Sequence, residues 1–171
     1  MKKLNLILLS SLFIAFSCDA PQEPQVIGYS VNQEDGVQTP VIAGPESTSE
    51  VWSTYIDAHN ERDMEGISNL NSDEFSAYGP AGEYVDGNDA HREFLTQWFE
   101  TNNPKWNILW SISNTGESSN GDVGDYVTAG HQVTLNVDGE DITVYQVIDA
   151  LIIDGKVQMF NVYQQERAQV E

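Results

Sequence analysis

Hydrophobic and polar residues alternate with two different periods along this chain, and the change of period falls near residue 104. From residue 47 to about residue 103 the apolar positions recur every three or four residues, which is typical of amphipathic helices. From residue 106 onward they recur at every second position in long runs, which is typical of strands. Helices that come first and long strands that come last predict an α+β domain in which the helices cover one face of a sheet.

The first part of the domain contains helical patterns in three places. Ser47-Thr48-Ser49-Glu50 is typical of a capping box. The buried stripe of the helix that follows is predicted to be Val51, Trp52, Tyr55, Ile56 and His59. A second, short helix has apolar residues at Met64, Ile67 and Leu70. Gly87-Asn88-Asp89 precedes the third helix, whose predicted inner stripe is His91, Phe94, Leu95, Trp98 and Phe99.

Strands are predicted at 73–80 and 84–85, and four long strands follow Pro104. The most apolar of these runs from Ile142 to Ile153 and is apolar on both faces, so both faces are expected to be covered. Asp149 lies in the middle of this run. A carboxylate enclosed there would lose its hydration, so we expect it to be paired with a polar group or to take part in chemistry.

The N-terminal segment is typical of a protein exported from a bacterial cell. Lys2 and Lys3 precede an apolar stretch over residues 4–16 that is too short to span a bilayer comfortably. Residues 1–17 are therefore predicted to be a lipoprotein signal peptide. Ala15-Phe16-Ser17-Cys18 resembles a bacterial lipobox, which implies cleavage before Cys18, lipidation of Cys18 and a lipid anchor on the cell envelope, periplasmic or at the cell surface. The alternative is ordinary secretion, with Cys18 removed or left free.

Residues 18–46 carry several prolines and glycines with little periodicity, which predicts an extended or disordered tether. In the alternative interpretation, Val26, Ile27 and Tyr29 add an edge strand to the domain. The folded domain is predicted over residues 47–165, and residues 166–171 form a C-terminal tail.

The chain is strongly acidic, with 27 Asp and Glu against 7 Lys and Arg and a formal net charge of -20. Such a surface repels nucleic acid and anionic lipid headgroups, so a nucleic-acid partner is excluded. Cys18 is the one cysteine, and no intrachain disulfide is possible.

The order of elements resembles the cone-shaped fold shared by nuclear transport factor 2, ketosteroid isomerase and SnoaL-like polyketide cyclases. The resemblance covers about residues 47–164 and rests on the order α, α, short β pair, α, four long β. The local strings that carry it are Tyr55-Ile56, Arg62-Asp63-Met64-Glu65-Gly66-Ile67, Val85-Asp86-Gly87 and Val147-Ile148-Asp149. It implies a curved mixed β-sheet covered on its concave face by three N-terminal helices.

Ketosteroid isomerases place three polar groups inside the cone, and the resemblance assigns two of them here. Tyr55 falls at the tyrosine of the first helix, and Asp149 falls at the aspartate that donates to the developing oxyanion. The carboxylate that moves the proton should lie at or beside Tyr78, where this sequence has none. An imidazole, that of His131 or His91, is the candidate to supply the missing base.

The candidate catalytic residues are therefore Asp149, Tyr55, His131, His91 and Tyr78. The candidate ligand-binding residues are Tyr55, His59, Tyr78, Trp98, His131, Tyr145, Asp149 and Phe160. In the purely structural alternative, Asp149 is hydrogen-bonded to Tyr55 or Tyr78 and only fixes the core. A metal held by His59, His91, His131 and Asp149 lacks any short ligand spacing, so no metal is predicted. No cofactor is predicted either, because the chain has no phosphate loop or dinucleotide fingerprint.

Three functions remain open on the sequence. The cone binds a small, mostly apolar ligand, or it acts on one as an isomerase, cyclase or dehydratase, or it is filled by its own side chains and the domain is an interaction module. Trp106 and Trp110 are expected on the outer face of the sheet together with Val144, Ile148 and Ile152. An apolar outer face predicts a homodimer through the sheet, with coverage by the tether as the alternative.

Overall fold

A computed structural model describes residues 23–118 and 123–167. The helices are α1 (Glu46–Glu61), α2 (Met64–Leu70) and α3 (Gly87–Asn102). The strands are β1 (Val26–Val31), β2 (Gln38–Ala43), β3 (Asn71–Tyr78), β4 (Tyr84–Asp86), β5 (Lys105–Glu117), β6 (Val123–Val137), β7 (Glu140–Ile153) and β8 (Lys156–Gln165). The predicted signal peptide, Cys18 and the end of the predicted tail lie outside these residues.

The strands form one mixed sheet in the order β1-β2-β5-β6-β7-β8-β3-β4. Neighbouring strands are antiparallel except for β3 and β8, which are parallel. The sheet curls, and its concave face is covered by the helices. The predicted α+β fold, a cone-shaped mixed sheet with three helices on its concave face, is confirmed.

Helix α1 buries the stripe that its periodicity predicts, including Trp52, Tyr55 and Ile56. The predicted capping box does not form, because the helix begins two residues earlier and its N-cap is Pro45, without a side-chain hydrogen bond. Ser49 instead hydrogen-bonds through its hydroxyl to the hydroxyl of Ser113 on β5, 2.6 Å away. The hydroxyl-rich start of α1 therefore joins the helix to the sheet.

An antiparallel hairpin of β1 and β2 occupies most of the predicted tether. Its turn is held by the Asn32 carboxamide oxygen, which accepts from the Glu34 N–H at 2.8 Å, and Gly36 adopts a φ of 72°. Strand β2 extends the sheet by pairing Ile42 with Thr115 on β5. The tether prediction is wrong over these residues, and the edge-strand alternative is correct. The backbone N–H and C=O groups of β2 pair with the edge of β5, and composition alone does not reveal that this edge is available.

Side-chain direction along β7 is opposite to the prediction. The even positions face the core, and Val144, Ile148 and Ile152 are buried there rather than on the outer face. Asp149 lies on the outer face with the other odd positions. Strand β7 is apolar on both faces, so its alternation does not by itself say which face points inward.

A register shift in β5 between Ile108 and Trp110 divides that strand into two parts. Trp106 is buried against the core, so its predicted outer position is wrong. Trp110 lies on the outer face as predicted. Its indole covers Gly130 so closely that a Cβ built on that glycine would lie 2.3 Å from the ring. Exposed apolar side chains nearby on this face are Ile112, Val147 and Tyr163.

Among the described residues, no helix has both the length and the apolar character needed to cross a membrane.

Candidate functional site

A cavity of about 320 Å³ lies between the helices and the concave face of the sheet. Its walls are mainly apolar, and their aromatic members are Trp52, Phe94, Trp98, Trp106 and Phe160. The turn between β3 and β4 contributes Gly79 and Glu83 at the rim. The volume is within the range of small-molecule sites, which are typically about 300–1,000 Å³ and mostly apolar with a few polar groups.

The side chain of His59, on α1, lines the cavity and has one ring nitrogen that can accept a hydrogen bond. Its Nδ1 lies 2.7 Å from the carbonyl oxygen of Tyr55. A carbonyl oxygen only accepts, so Nδ1 carries the proton and Nε2 is unprotonated. Burial, with a smaller contribution from Arg62, lowers the pKa of His59 to about 4, so the ring is neutral at pH 7.

His91 has the opposite tautomer, and a chain of hydrogen bonds fixes it. The carbonyl oxygen of Ser72 accepts from the Asn88 amide at 3.0 Å, and the oxygen of that amide accepts from Asn71 Nδ2 at 2.8 Å. Asn71 Nδ2 also lies 3.1 Å from His91 Nδ1, which must therefore accept. The proton of the neutral ring is on Nε2. Burial, and then the neighbouring His59, lower the pKa of His91 to about 3.

Asn71, at the start of β3, is the centre of this network. It is buried, and its oxygen accepts from the Tyr55 hydroxyl at 2.7 Å. Tyr55 itself is only 1% exposed, and its burial raises its pKa well above the ordinary value. Asn71 was not among the predicted site residues, because nothing in the sequence distinguishes it from an asparagine in a turn.

Gln146 is a second polar group in the wall that sequence reasoning missed. Its oxygen accepts from the Trp106 indole at 3.2 Å, and its nitrogen donates to Gln164 at 2.9 Å. A signal was available, because Gln146 is the one polar residue among the even positions of the run from 142 to 152. Finding it would have required the correct assignment of the inner face of β7.

Of the predicted site residues, His59, His91, Trp98 and Phe160 line the cavity. Tyr55 and His131 face the interior but lie behind its wall. The Trp52 indole donates to His131 Nε2 at 3.1 Å. Burial lowers the pKa of His131 to about 4, opposed in part by the carbonyls of Gln146 and Ala129. Neither carbonyl completes a hydrogen bond to His131 Nδ1, which lacks a partner among the described residues.

Asp149, Tyr78 and Tyr145 lie on the outer side of the sheet, so the prediction that they face the cone is wrong. The Asp149 carboxylate accepts from the Thr128 hydroxyl at 2.7 Å. Tyr78 is exposed and packs against Tyr84, with ring centroids 4.8 Å apart. All three predictions fail for the same reason, since each assigns the wrong parity to a strand. The four side chains considered for a metal are consequently not brought together.

Carboxyl groups are scarce in the cavity wall. Glu83 is the only acidic side chain among the described residues that line it, and this carboxylate accepts from the N–H of Ala81 at 2.9 Å. On β3 the inward residue beside Tyr78 is Ala77. The position where the resemblance places the proton-moving carboxylate is therefore occupied by a methyl group.

The sequence profile of the SnoaL-like domain matches residues 49–147, and the chain belongs to this family. No curated protein is significantly similar to it in sequence.

Solved structures share the fold at low sequence identity. A protein of Kribbella flavida, provisionally named a ketosteroid isomerase, superposes with a TM-score of 0.59 and 16% identity over 75% of this chain and 85% of that one. Bal32a, from a soil-derived mobile gene cassette, superposes with a TM-score of 0.58 and 18% identity over 71% of this chain and 91% of that one. An LEH-like epoxide hydrolase of M. tuberculosis superposes with a TM-score of 0.56 and 13% identity over 71% of this chain and 86% of that one.

Proposed function

We propose that this SnoaL-like domain binds a small, mostly apolar molecule in its cone. The observation that carries the proposal is the cavity of about 320 Å³ with its aromatic wall and two histidines. An apolar cavity of about 150 Å³ is enough to hold benzene in a well-studied case, so this cavity has room for a larger ligand. A cone filled by its own side chains, as in an interaction module, would leave no such space.

Binding is favoured over acid–base turnover by the polar groups that the cavity contains. A general base works best when its pKa is near the working pH. The pKa values of the two histidines in the wall are lowered to about 4 and about 3, so both are weak bases at neutrality. An isomerase, cyclase or dehydratase remains the second candidate function. The unprotonated Nε2 of His59 is the observation in its favour.

Two adjacent residues of β7 test the proposal, because their side chains lie on opposite faces of the sheet. Ile148→Trp fills the cavity and is expected to lower the affinity for a co-purified or added ligand by about tenfold or more, since the ligand loses its space. Asp149→Asn changes only the outer face and is expected to change that affinity less than about twofold. Native mass spectrometry of the purified domain measures both.

Val162→Phe, at a half-buried wall position, serves as a second filling variant if Ile148→Trp does not fold. Equal loss in Asp149→Asn and in the filling variants would place binding outside the cone and contradict the proposal. We also propose a homodimer through the outer face of the sheet, supported by the exposed Trp110, Ile112 and Val147. The same native mass spectra report the oligomeric state.

We also propose that the protein is an envelope lipoprotein anchored through Cys18. The support is the sequence of residues 1–18, a basic start followed by an apolar stretch and a lone cysteine. Hairpin β1–β2 begins at Val26, and an extended chain covers at most about 3.5 Å per residue. Under this proposal the domain therefore lies within roughly 30 Å of the bilayer surface.

Cys18→Ser is expected to abolish lipidation, because the thiol is the attachment site. The variant should move from the membrane fraction to the soluble fraction and lose the mass of its acyl chains. Ser17→Ala, one residue earlier, is the matched control and should remain in the membrane fraction. An unchanged mass in Cys18→Ser would contradict the lipid anchor.

A further inference from the structure

The two histidines of the cavity wall have complementary hydrogen-bonding atoms. His59 is locked with its proton on Nδ1 by the carbonyl of Tyr55, which leaves Nε2 as an acceptor. His91 is locked with its proton on Nε2, because Asn71 donates to its Nδ1. Both locks end on backbone carbonyl groups, those of Tyr55 and Ser72. The polarity of each ring is therefore set by the fold.

Both Nε2 atoms are open to the cavity. Neither Nε2 has a hydrogen-bond partner among the described residues. The side-chain polar atoms there that lack a partner and are also shut off from solvent are Ser72 Oγ and His131 Nδ1, so neither Nε2 is shut off. Since both rings line the cavity, their free nitrogens are accessible from it. The ring centroids are 5.7 Å apart. At this ring separation a single ligand atom can lie within hydrogen-bonding distance, about 2.8 Å, of both rings.

We propose that His59 and His91 together bind a hydroxyl group of the ligand, with the hydroxyl donating to His59 Nε2 and accepting from the Nε2–H of His91. The inference rests on the proposed ligand-binding function and specifies the chemical class of the ligand, a neutral apolar molecule that carries an alcohol or phenol. A hydroxyl is the simplest neutral group that both donates and accepts through one atom.

Other ligand groups leave part of this pair without a partner. A ketone or an ether accepts from His91 but offers nothing to the lone pair of His59. A carboxylate meets no positive side chain, because no Lys or Arg lines the cavity among the described residues, and the chain is itself strongly negative. Sites built to hydrogen-bond a hydroxyl discriminate strongly against analogues that lack it, because the buried protein group is then left unpaired.

Four probes of the same aromatic size separate these possibilities: 2-naphthol, 2-methoxynaphthalene, naphthalene and 2-naphthoate. We expect 2-naphthol to bind the wild-type protein at least about tenfold more tightly than 2-methoxynaphthalene or naphthalene, and 2-naphthoate to bind most weakly. Calorimetric titration measures the four affinities. In His59→Phe the advantage of 2-naphthol over 2-methoxynaphthalene should fall below about twofold, because the ether lacks only the hydrogen bond to His59, whereas His131→Gln, outside the cavity wall, should retain it.

Nitrogen-15 spectra of the wild-type histidines provide a second readout that does not depend on a variant folding. They should show protonated Nδ1 in His59 and protonated Nε2 in His91, and 2-naphthol should shift both Nε2 signals while naphthalene shifts neither. Equal affinities for naphthalene and 2-naphthol would overturn the hydroxyl proposal and leave the apolar pocket standing. Tautomers opposite to those assigned would overturn it as well. Failure of all four probes to bind would refute both the pocket and the hydroxyl site.

Discussion

Asn71→Ala is expected to lower the free energy of unfolding by about 3–5 kcal/mol, one of the largest effects that a single substitution can have here. The alanine leaves three groups without their partner: the buried Tyr55 hydroxyl and His91 Nδ1, and the half-buried Asn88 amide oxygen. Each buried polar group that loses its hydrogen bond costs about 1–3 kcal/mol. Urea unfolding followed by circular dichroism measures the loss.

Asn161→Ala is the matched control for Asn71→Ala. Asn161 lies on β8 and donates to the sulfur of Met159 at 3.2 Å, outside any larger network. Its removal is expected to cost less than about 1 kcal/mol. If the two alanine variants unfold at the same urea concentration, Asn71 does not hold the network together and the tautomer of His91 is not fixed by it.

Acidification from pH 7.5 to pH 5 is expected to remove on the order of 5 kcal/mol of stability through three buried histidines. Burial is the main cause in each case, and it lowers the pKa of His59 to about 4, of His91 to about 3 and of His131 to about 4. The unfolded chain, with histidine pKa values near 6.5, binds more protons than the folded one between these limits. The stability is therefore fully present above about pH 6.5 and is lost as the pH falls through about 4 for His59 and His131 and about 3 for His91.

The slope of this loss counts the protons that unfolding takes up. Each histidine contributes about 1.4 kcal/mol per pH unit in the middle of the window, so three give about 4 kcal/mol per unit near pH 5. His131→Gln removes one titrating group but retains an acceptor for the Trp52 indole, and should reduce the slope by about one third. Urea midpoints at several pH values measure it. An unfolding free energy that is flat from pH 7.5 to pH 5, or an unchanged slope in His131→Gln, would show that these rings do not titrate as their burial requires.

The helices of this fold could be predicted well from the sequence, and the strands less well, for a physical reason. An amphipathic helix has one apolar stripe, and the stripe of α1 contained Trp52, Tyr55 and His59 as predicted. Strand β7 is apolar on both faces, so the choice between Gln146 inside and Asp149 inside depends on its register with β6. His131 pairs with Gln146 and Thr128 pairs with Asp149, which fixes that choice. The resemblance to ketosteroid isomerase identified the cone correctly but favoured the wrong residue of the strand.

Of the polar residues of the candidate site, the histidines could be predicted from the sequence and the asparagines could not. His59 and His91 follow from helical periodicity, because each lies on the stripe of its helix. The asparagines that fix His91 do not, since Asn71 and Asn88 meet only when β3 and α3 come together in three dimensions. Likewise the register shift in β5, which sends Trp106 inward and Trp110 outward, interrupts an alternation that the sequence shows as continuous.

The distribution of tryptophan gives the protein a built-in optical reporter. Three of its four indoles, those of Trp52, Trp98 and Trp106, border the cavity, while Trp110 is 44% exposed on the opposite face of the sheet. A molecule that enters the cone contacts three tryptophans and does not reach the fourth. The intrinsic fluorescence of the chain therefore records occupancy of the cone, and Trp110→Phe removes the part of the emission that does not respond to a ligand in the cone.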